Sequence, residues 1–214
     1  MTANNHLNLQ EWFGQIDIYL FDQLLKGRFT PQMRVLDAGC GGGRNLIYFL
    51  RCGYDVYGVD QSRGAIAQVR SLASALAPPL PLDNFRVETV ERMSFADESF
   101  DIVISSAVLH FARDEEQWQM MLREMWRVLK QGGILFARLA SSIGIEEKIE
   151  WIEGRRYHLP DGSDRFLVDE QMLLLTTASL GGEFLDPLKT VIVQNMRSMT
   201  TWCLLKTTTQ IQRE

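Results

Sequence analysis

The 214-residue chain contains no run approaching the roughly 20 consecutive apolar residues that a membrane-spanning helix requires, so no membrane partner is expected. Residues 1–11 are polar and lack the apolar core of a secretory leader. Cysteine is scarce. Cys40, Cys52 and Cys203 are odd in number and have no metal-type spacing, which argues against a disulfide framework and predicts no metal site. Together these absences predict a soluble, cytoplasmic chain. No run of lysine and arginine stands out, and the net charge is −5. A nucleic-acid partner, whose phosphates reward a basic face, is therefore not expected. Repeats and low-complexity stretches are also missing. The only linker-like stretch, residues 77–81 (APPLP), reads as a loop. What is present is 46% hydrophobic and 23% charged sequence, enough to bury a core in a length that suits one domain.

The apolar residues fall in an alternating rhythm. Over residues 9–27, Trp12, Ile16, Tyr19, Leu20, Leu24 and Leu25 have helical spacing, predicting one amphipathic helix ended by Gly27. On that helix Trp12 and Tyr19, seven apart, share a face. Short apolar strands are predicted at 34–37, 55–59, 85–90, 101–105 and 134–139. Between them come helices over 44–52, from an N-cap at Ser62 to about residue 75, and over 115–129, the last stopped by Gly132 and Gly133. Strands that are apolar on both faces and alternate with helices predict a doubly wound α/β fold, a mostly parallel sheet with helices on both faces. After residue 140 a turn signal at 159–162 (LPDG) predicts a hairpin over 157–168. Asp169 then caps a helix to residue 180, and strands at 189–194 and 200–206 close the sheet.

The chemistry gathers at Val35-Leu36-Asp37-Ala38-Gly39-Cys40-Gly41-Gly42-Gly43. A strand, a glycine turn and a helix start let backbone approach a ligand closely. Asp60 ends the next strand, 23 positions after Asp37, where a carboxylate can accept from both hydroxyls of an adenosine ribose. Asp37 separates two readings of the loop. A dinucleotide would set its pyrophosphate against this carboxylate and be repelled, whereas a cofactor with an ammonium and a sulfonium would be attracted.

That segment closely resembles motif I of the class I, Rossmann-like S-adenosylmethionine-dependent methyltransferases. Residues 95–111 (FADESFDIVISSAVLHF) and 124–135 (EMWRVLKQGGIL) are similar to the fourth-strand and fifth-strand regions of the small-molecule members. The resemblance spans about residues 30–140. It implies a seven-stranded sheet with the last strand antiparallel, S-adenosylmethionine as methyl donor, and S-adenosylhomocysteine as its product. It also implies that Asp37, Gly39 and Gly41 line the methionine moiety, with Cys40 contributing backbone. Asp60 would then hold the ribose, Gln61 and the Val90–Glu91 pair the adenine, and Ser105 the reactive end. Many members carry an acidic residue at the position of Thr89, so Glu91 or backbone groups would have to serve there. One domain, 1–214, is expected: a helical lid (1–30), a cofactor half (31–140) and an acceptor side (141–214).

The acceptor is expected to be a small molecule, because few residues lie beyond the sheet to recognise anything larger. Trp12, Tyr19, His110, Arg155, Arg156 and Tyr157 are the candidates to meet it, each with a structural alternative in packing or surface polarity. His110 is the only candidate general base, its ordinary pKa being near 6.5. Arg44 can pair with the cofactor carboxylate, with Asp37, or with solvent at the start of its helix. Two other readings stay open: a non-catalytic S-adenosylmethionine-binding regulator, and an NAD-dependent dehydrogenase, which Asp37 disfavours. Oligomeric state is not legible.

Overall fold

Residues 8–207 are described by a computed structural model, so residues 1–7 of the expected lid and leader-free segment, and residues 208–214, lie outside the described chain. Helices α1 (Leu9–Phe13) and α2 (Ile18–Leu25) precede strand β1 (Arg34–Ala38). Then come α3 (Ile47–Arg51), β2 (Asp55–Asp60), α4 (Arg63–Leu76), β3 (Phe85–Val87), β4 (Phe100–Ser106), α5 (Glu115–Val128) and β5 (Leu129–Ala140). The remainder comprises β6 (Glu150–Glu153), β7 (Arg156–His158), β8 (Asp164–Phe166), α6 (Glu170–Leu180), β9 (Gly182–Phe184), β10 (Lys189–Val193) and β11 (Arg197–Lys206).

The main sheet runs β10-β11-β5-β4-β1-β2-β3, with β9 as a short eighth strand against the end of β11. Strands β1 to β5 are parallel, and the last strand, β11, is antiparallel to β5. Successive strand side chains point to opposite faces, and here both faces are covered. Val35, Ile102, Ile104 and Phe136 pack with Leu20 of α2, Phe49 of α3 and Ile66 of α4. Their neighbours Leu36, Val103 and Leu135 pack the other way, against Trp118 and Met125 of α5 and Leu173 of α6. The Trp118 ring stacks on Trp202 of β11 at 6.4 Å and on Phe166 of β8 at 6.0 Å.

Several local expectations need correction. The helix expected over 9–27 is broken: Gly14 ends α1 with φ +56°, and Asp17 caps α2 by accepting from the Tyr19 N–H at 3.0 Å. Trp12 and Tyr19 therefore stand on different helices. The helix expected from Arg44 begins at Ile47, because residues 44–46 are spent in turns that leave the glycine loop. Strand β3 stops at Val87, so Thr89, Val90 and Glu91 lie in the following loop. Gly132 and Gly133 do not stop α5. Helix passes directly into strand at Leu129, and both glycines lie inside β5. The caps at Ser62 and Asp169 form as expected, each side chain accepting from the first turn. Beyond residue 140 the expected hairpin, β7–β8, has a third strand, β6, on its edge. All four β6 residues are exposed, so no apolar alternation marks it.

Candidate functional site

Strand order turns back between β1 and β4, and the crevice at the carboxyl ends of these strands is where open α/β sheets bind ligands. The loop 39–43 leaves β1 into this crevice. Gly39 has φ +85°, and a Cβ there would lie 2.5 Å from Val108 Cγ2, so only glycine fits. Over Gly41, at φ +52°, no atom lies within 4 Å of where a Cβ would stand. Asp60 fastens the loop. Its Oδ2 accepts from the Gly41 N–H at 3.0 Å and its Oδ1 from the Ser62 N–H at 2.8 Å. Each oxygen keeps a further lone pair.

Three adjoining hollows surround the loop. The first, about 220 Å³, has Asp60, Gln61, Thr89 and Glu91 on its polar side and Val90, Val108, Phe111 and Met121 on its apolar side. Glu91 Oε1 accepts from Gln117 Nε2, whereas Thr89 has no such side-chain bond among the described residues. The second, about 440 Å³, lies over Gly39, Cys40, Gly41 and Gly42 with Arg44 and Ser106 beside them. The third, about 320 Å³, is lined by His110, Asp161 and four arginines, Arg44, Arg138, Arg165 and Arg197. Ala107 lines all three. Its φ is +64°, a left-handed conformation that costs an alanine about 1 kcal/mol. The Arg138 carbonyl holds it there, accepting from its N–H at 2.8 Å.

Asp37 lies beneath the loop, 2% exposed, with Oδ2 lacking any hydrogen-bond partner among the described residues. Burial pushes its carboxyl up to about 7. The nearby Arg44 charge opposes that rise, and Asp60 adds to it. The Ser105 hydroxyl is likewise buried without a partner. An orphaned carboxylate, an orphaned hydroxyl and open room over Gly41 suit a ligand that brings positive charge and hydrogen-bond donors. The Cys40 thiol is pushed far up by burial and by the Asp37 and Asp60 charges, which leaves it inert.

Asp17 ties the N-terminal helices to this crevice. Its side chain is 1% exposed, and its Oδ2 accepts from Arg138 Nη1 at 2.8 Å and from the Ser106 hydroxyl at 3.2 Å. Its backbone N–H donates to Asn45 Oδ1 at 3.0 Å. Arg44 is exposed and donates to Ser106 and to the Gln15 carbonyl.

The expected acceptor residues divide. His110 reaches the third hollow, 6% exposed, with Nδ1 accepting from the Ala140 N–H at 3.2 Å. Burial, helped by Arg165 and Arg197, lowers its pKa to about 4, so the ring is neutral with its proton on Nε2. Tyr19 packs at the edge of the core, with the Arg138 guanidinium 5.2 Å from its ring. Trp12, 37% exposed, lines none of the hollows. Nor do Arg155, Arg156 and Tyr157. Arg155 pairs with Asp169 at 2.9 Å, Arg156 faces Glu153 at 3.7 Å, and Tyr157 packs near Leu159 and Leu167. Sequence reasoning missed Asp17, Ala107, Arg138, Arg165 and Arg197. Arg138 had a readable signal, a charge in an otherwise apolar strand, at the same end as Ser105. Arg165 and Arg197 had none.

Residues 36–137 match the family model described as a methyltransferase domain. The chain is 33% identical over 104 residues to the ubiquinone biosynthesis O-methyltransferase of Rhizobium rhizogenes, covering 49% of this chain and 40% of that protein. It thus spans about half or less of the length of the first curated relatives it matches. Among solved structures, a Methanosarcina mazei protein described as an S-adenosylmethionine-dependent methyltransferase superposes with TM-score 0.71 at 21% identity, over 86% of this chain and 97% of that one. The 1,6-didemethyltoxoflavin-N1-methyltransferase of Burkholderia thailandensis, crystallised with 1,6-didemethyltoxoflavin and S-adenosylhomocysteine, gives TM-score 0.68 at 19% identity, over 94% and 82%. Residues 36–137 thus carry a methyltransferase domain, and the sheet has the fold of the S-adenosylmethionine-dependent methyltransferase structure it superposes on.

Proposed function

We propose that the chain transfers a methyl group from S-adenosylmethionine to a small-molecule acceptor. The observation that carries this reading is Asp37, a buried and unpaired carboxylate directly beneath an open glycine loop whose far side is fastened by Asp60. Bound there, S-adenosylmethionine would supply a methyl group on sulfur already activated for displacement, the C–S electron pair staying with sulfur as the acceptor's lone pair forms the new bond. The protein's part is then placement, with no need of a nucleophile of its own.

On this reading the first hollow takes the adenosine. Asp60 uses its remaining lone pairs on the ribose, Gln61 lies against the adenine, and Val90, Glu91 and the intervening backbone meet the ring edge. Glu91 is already engaged by Gln117, which leaves Thr89 free to serve the adenine. The second hollow takes the methionine end, with Gly39, Cys40 and Gly41 giving backbone, Asp37 charge, Arg44 a partner for the carboxylate, and Ser105 a buried hydroxyl. His110, holding its proton on Nε2, acts as a hydrogen-bond donor to the acceptor rather than as its base. Residues 8–30 and 141–170 cover the acceptor, within one domain. Three free cysteines fit a reducing, cytoplasmic setting.

Calorimetric titration with S-adenosylhomocysteine, S-adenosylmethionine and NADH tests this. Saturable binding of the first two without NADH is the expected result, followed by transfer of a labelled methyl group to a compound from an acceptor panel. Tight NADH binding with no binding of S-adenosylmethionine would overturn the proposal. Saturable binding with no transfer to any acceptor would leave the regulatory reading.

A further inference from the structure

The charged groups that line the third hollow, among apolar residues such as Leu159 and Met199, are mostly cationic. Four guanidinium groups border it, against one carboxylate, Asp161. Asp161 is already engaged within its own turn, accepting from the Ser163 N–H at 3.1 Å and the Ser163 hydroxyl at 2.5 Å. Arg138 has Asp17 as a partner, yet its buried Nε has none among the described residues. Arg165 and Arg197 have no carboxylate within 4 Å among the described residues. Arg165 is nonetheless held in place. Its guanidinium lies 4.9 Å from the Phe111 ring centre, and its Nη1 donates to the Asp164 carbonyl at 2.8 Å. His110 adds an N–H, since its other nitrogen already accepts from Ala140.

The neighbouring hollow sharpens the point. A methyl donor read into the glycine loop brings a cationic sulfur next to these arginines, so a neutral or cationic acceptor would leave Arg165 and Arg197 with one nearby carboxylate, Asp161, to offset them. A guanidinium matches a planar carboxylate through two parallel hydrogen bonds. We propose that the methyl acceptor is an organic acid, anchored through a carboxylate by Arg165 and Arg197, with Arg138 and His110 lining its seat. The inference rests on the methyltransferase reading and names the chemical class of the acceptor.

The test is calorimetric, on the chain saturated with S-adenosylhomocysteine. Benzoate, hexanoate and succinate are titrated in turn, each beside its amide. At low salt at least one acid should bind about tenfold tighter than its amide. In the Arg165→Gln/Arg197→Gln double variant that preference should fall to about twofold or less, with the affinity for S-adenosylhomocysteine and the circular dichroism spectrum unchanged. Three results would overturn the proposal: amides binding as tightly as their acids, a preference that survives the double variant, or no acid binding at all. A wild-type chain that does not take up S-adenosylhomocysteine would instead overturn the methyl-donor reading beneath it.

Discussion

Asp37 and Asp60 are both aspartates at strand ends, yet their surroundings give them opposite tasks. Asp60 is half-buried and hydrogen-bonded to two backbone N–H groups, so removing it loosens the loop and any ribose contact together. Asp60→Ala should weaken S-adenosylhomocysteine binding roughly tenfold or more while leaving the far-ultraviolet spectrum intact. An unchanged affinity by titration would move the ribose elsewhere. Asp37 is buried and unpaired, so it weakens the empty protein and should strengthen the loaded one. Asp37→Asn should therefore raise the unfolding temperature of the ligand-free chain at pH 8 by an amount equivalent to about 1–2 kcal/mol. The same variant should bind S-adenosylmethionine roughly tenfold or more weakly, so thermal shift and titration move in opposite directions. Both aspartates were legible in the sequence, because a carboxylate before a glycine loop and another at the next strand end announce themselves by spacing. Arg165 and Arg197 were not, since nothing local distinguishes an arginine that faces a cavity from one that faces water.

Among the elements, the five parallel strands were readable because apolar runs buried on both faces leave little ambiguity. The N-terminal helices were not, because their apolar residues keep helical spacing across the break at Gly14. What decides the break is a polar network: Asp17 is needed as the cap of α2 and as the partner of Arg138, 121 positions away. The passage from α5 into β5 was misread for a similar reason. No glycine ends that helix. Lys206, only 8% exposed, donates to the carbonyls of Trp126 at 2.8 Å and Leu129 at 2.7 Å, satisfying acceptors that a C-terminal cap would otherwise serve. Lys206→Met should remove both of these hydrogen bonds and cost about 2–3 kcal/mol. For a chain of this size that lowers the unfolding temperature by about 5–10 °C in a calorimetric scan. A change within error would mean that water replaces the ammonium without loss.

For the molecule as a whole, Asp37 ties ligand binding to pH. Its carboxyl is raised in the folded chain to about 7, so between about pH 4 and 7 the native state holds a proton that the unfolded state has released. Its contribution to the stability of the empty protein is therefore largest below pH 4, declines as pH rises to 7, and is constant above. Binding of a cation favours the ionised form and expels that proton. The affinity for S-adenosylmethionine should thus rise with pH up to about 7, by at most about tenfold per unit, and then level off. Titrations in buffers of different ionisation enthalpy should show proton release at pH 6 and none at pH 9. His110, already neutral above about pH 4, adds nothing in this window. A slope that persists in Asp37→Asn would assign the proton to another group.

One residue is common to the three chambers. Ala107 borders all three hollows in a conformation that alanine resists, and the backbone of Arg138 keeps it there. Occupants of neighbouring chambers that both touch Ala107 would press on the same residue. Their occupants should then be thermodynamically coupled, and coupling of this kind is mutual: the factor by which S-adenosylhomocysteine changes the affinity for an acid must equal the factor by which that acid changes the affinity for S-adenosylhomocysteine. Replacing Ala107 with glycine should relax this position and bring both factors toward one together.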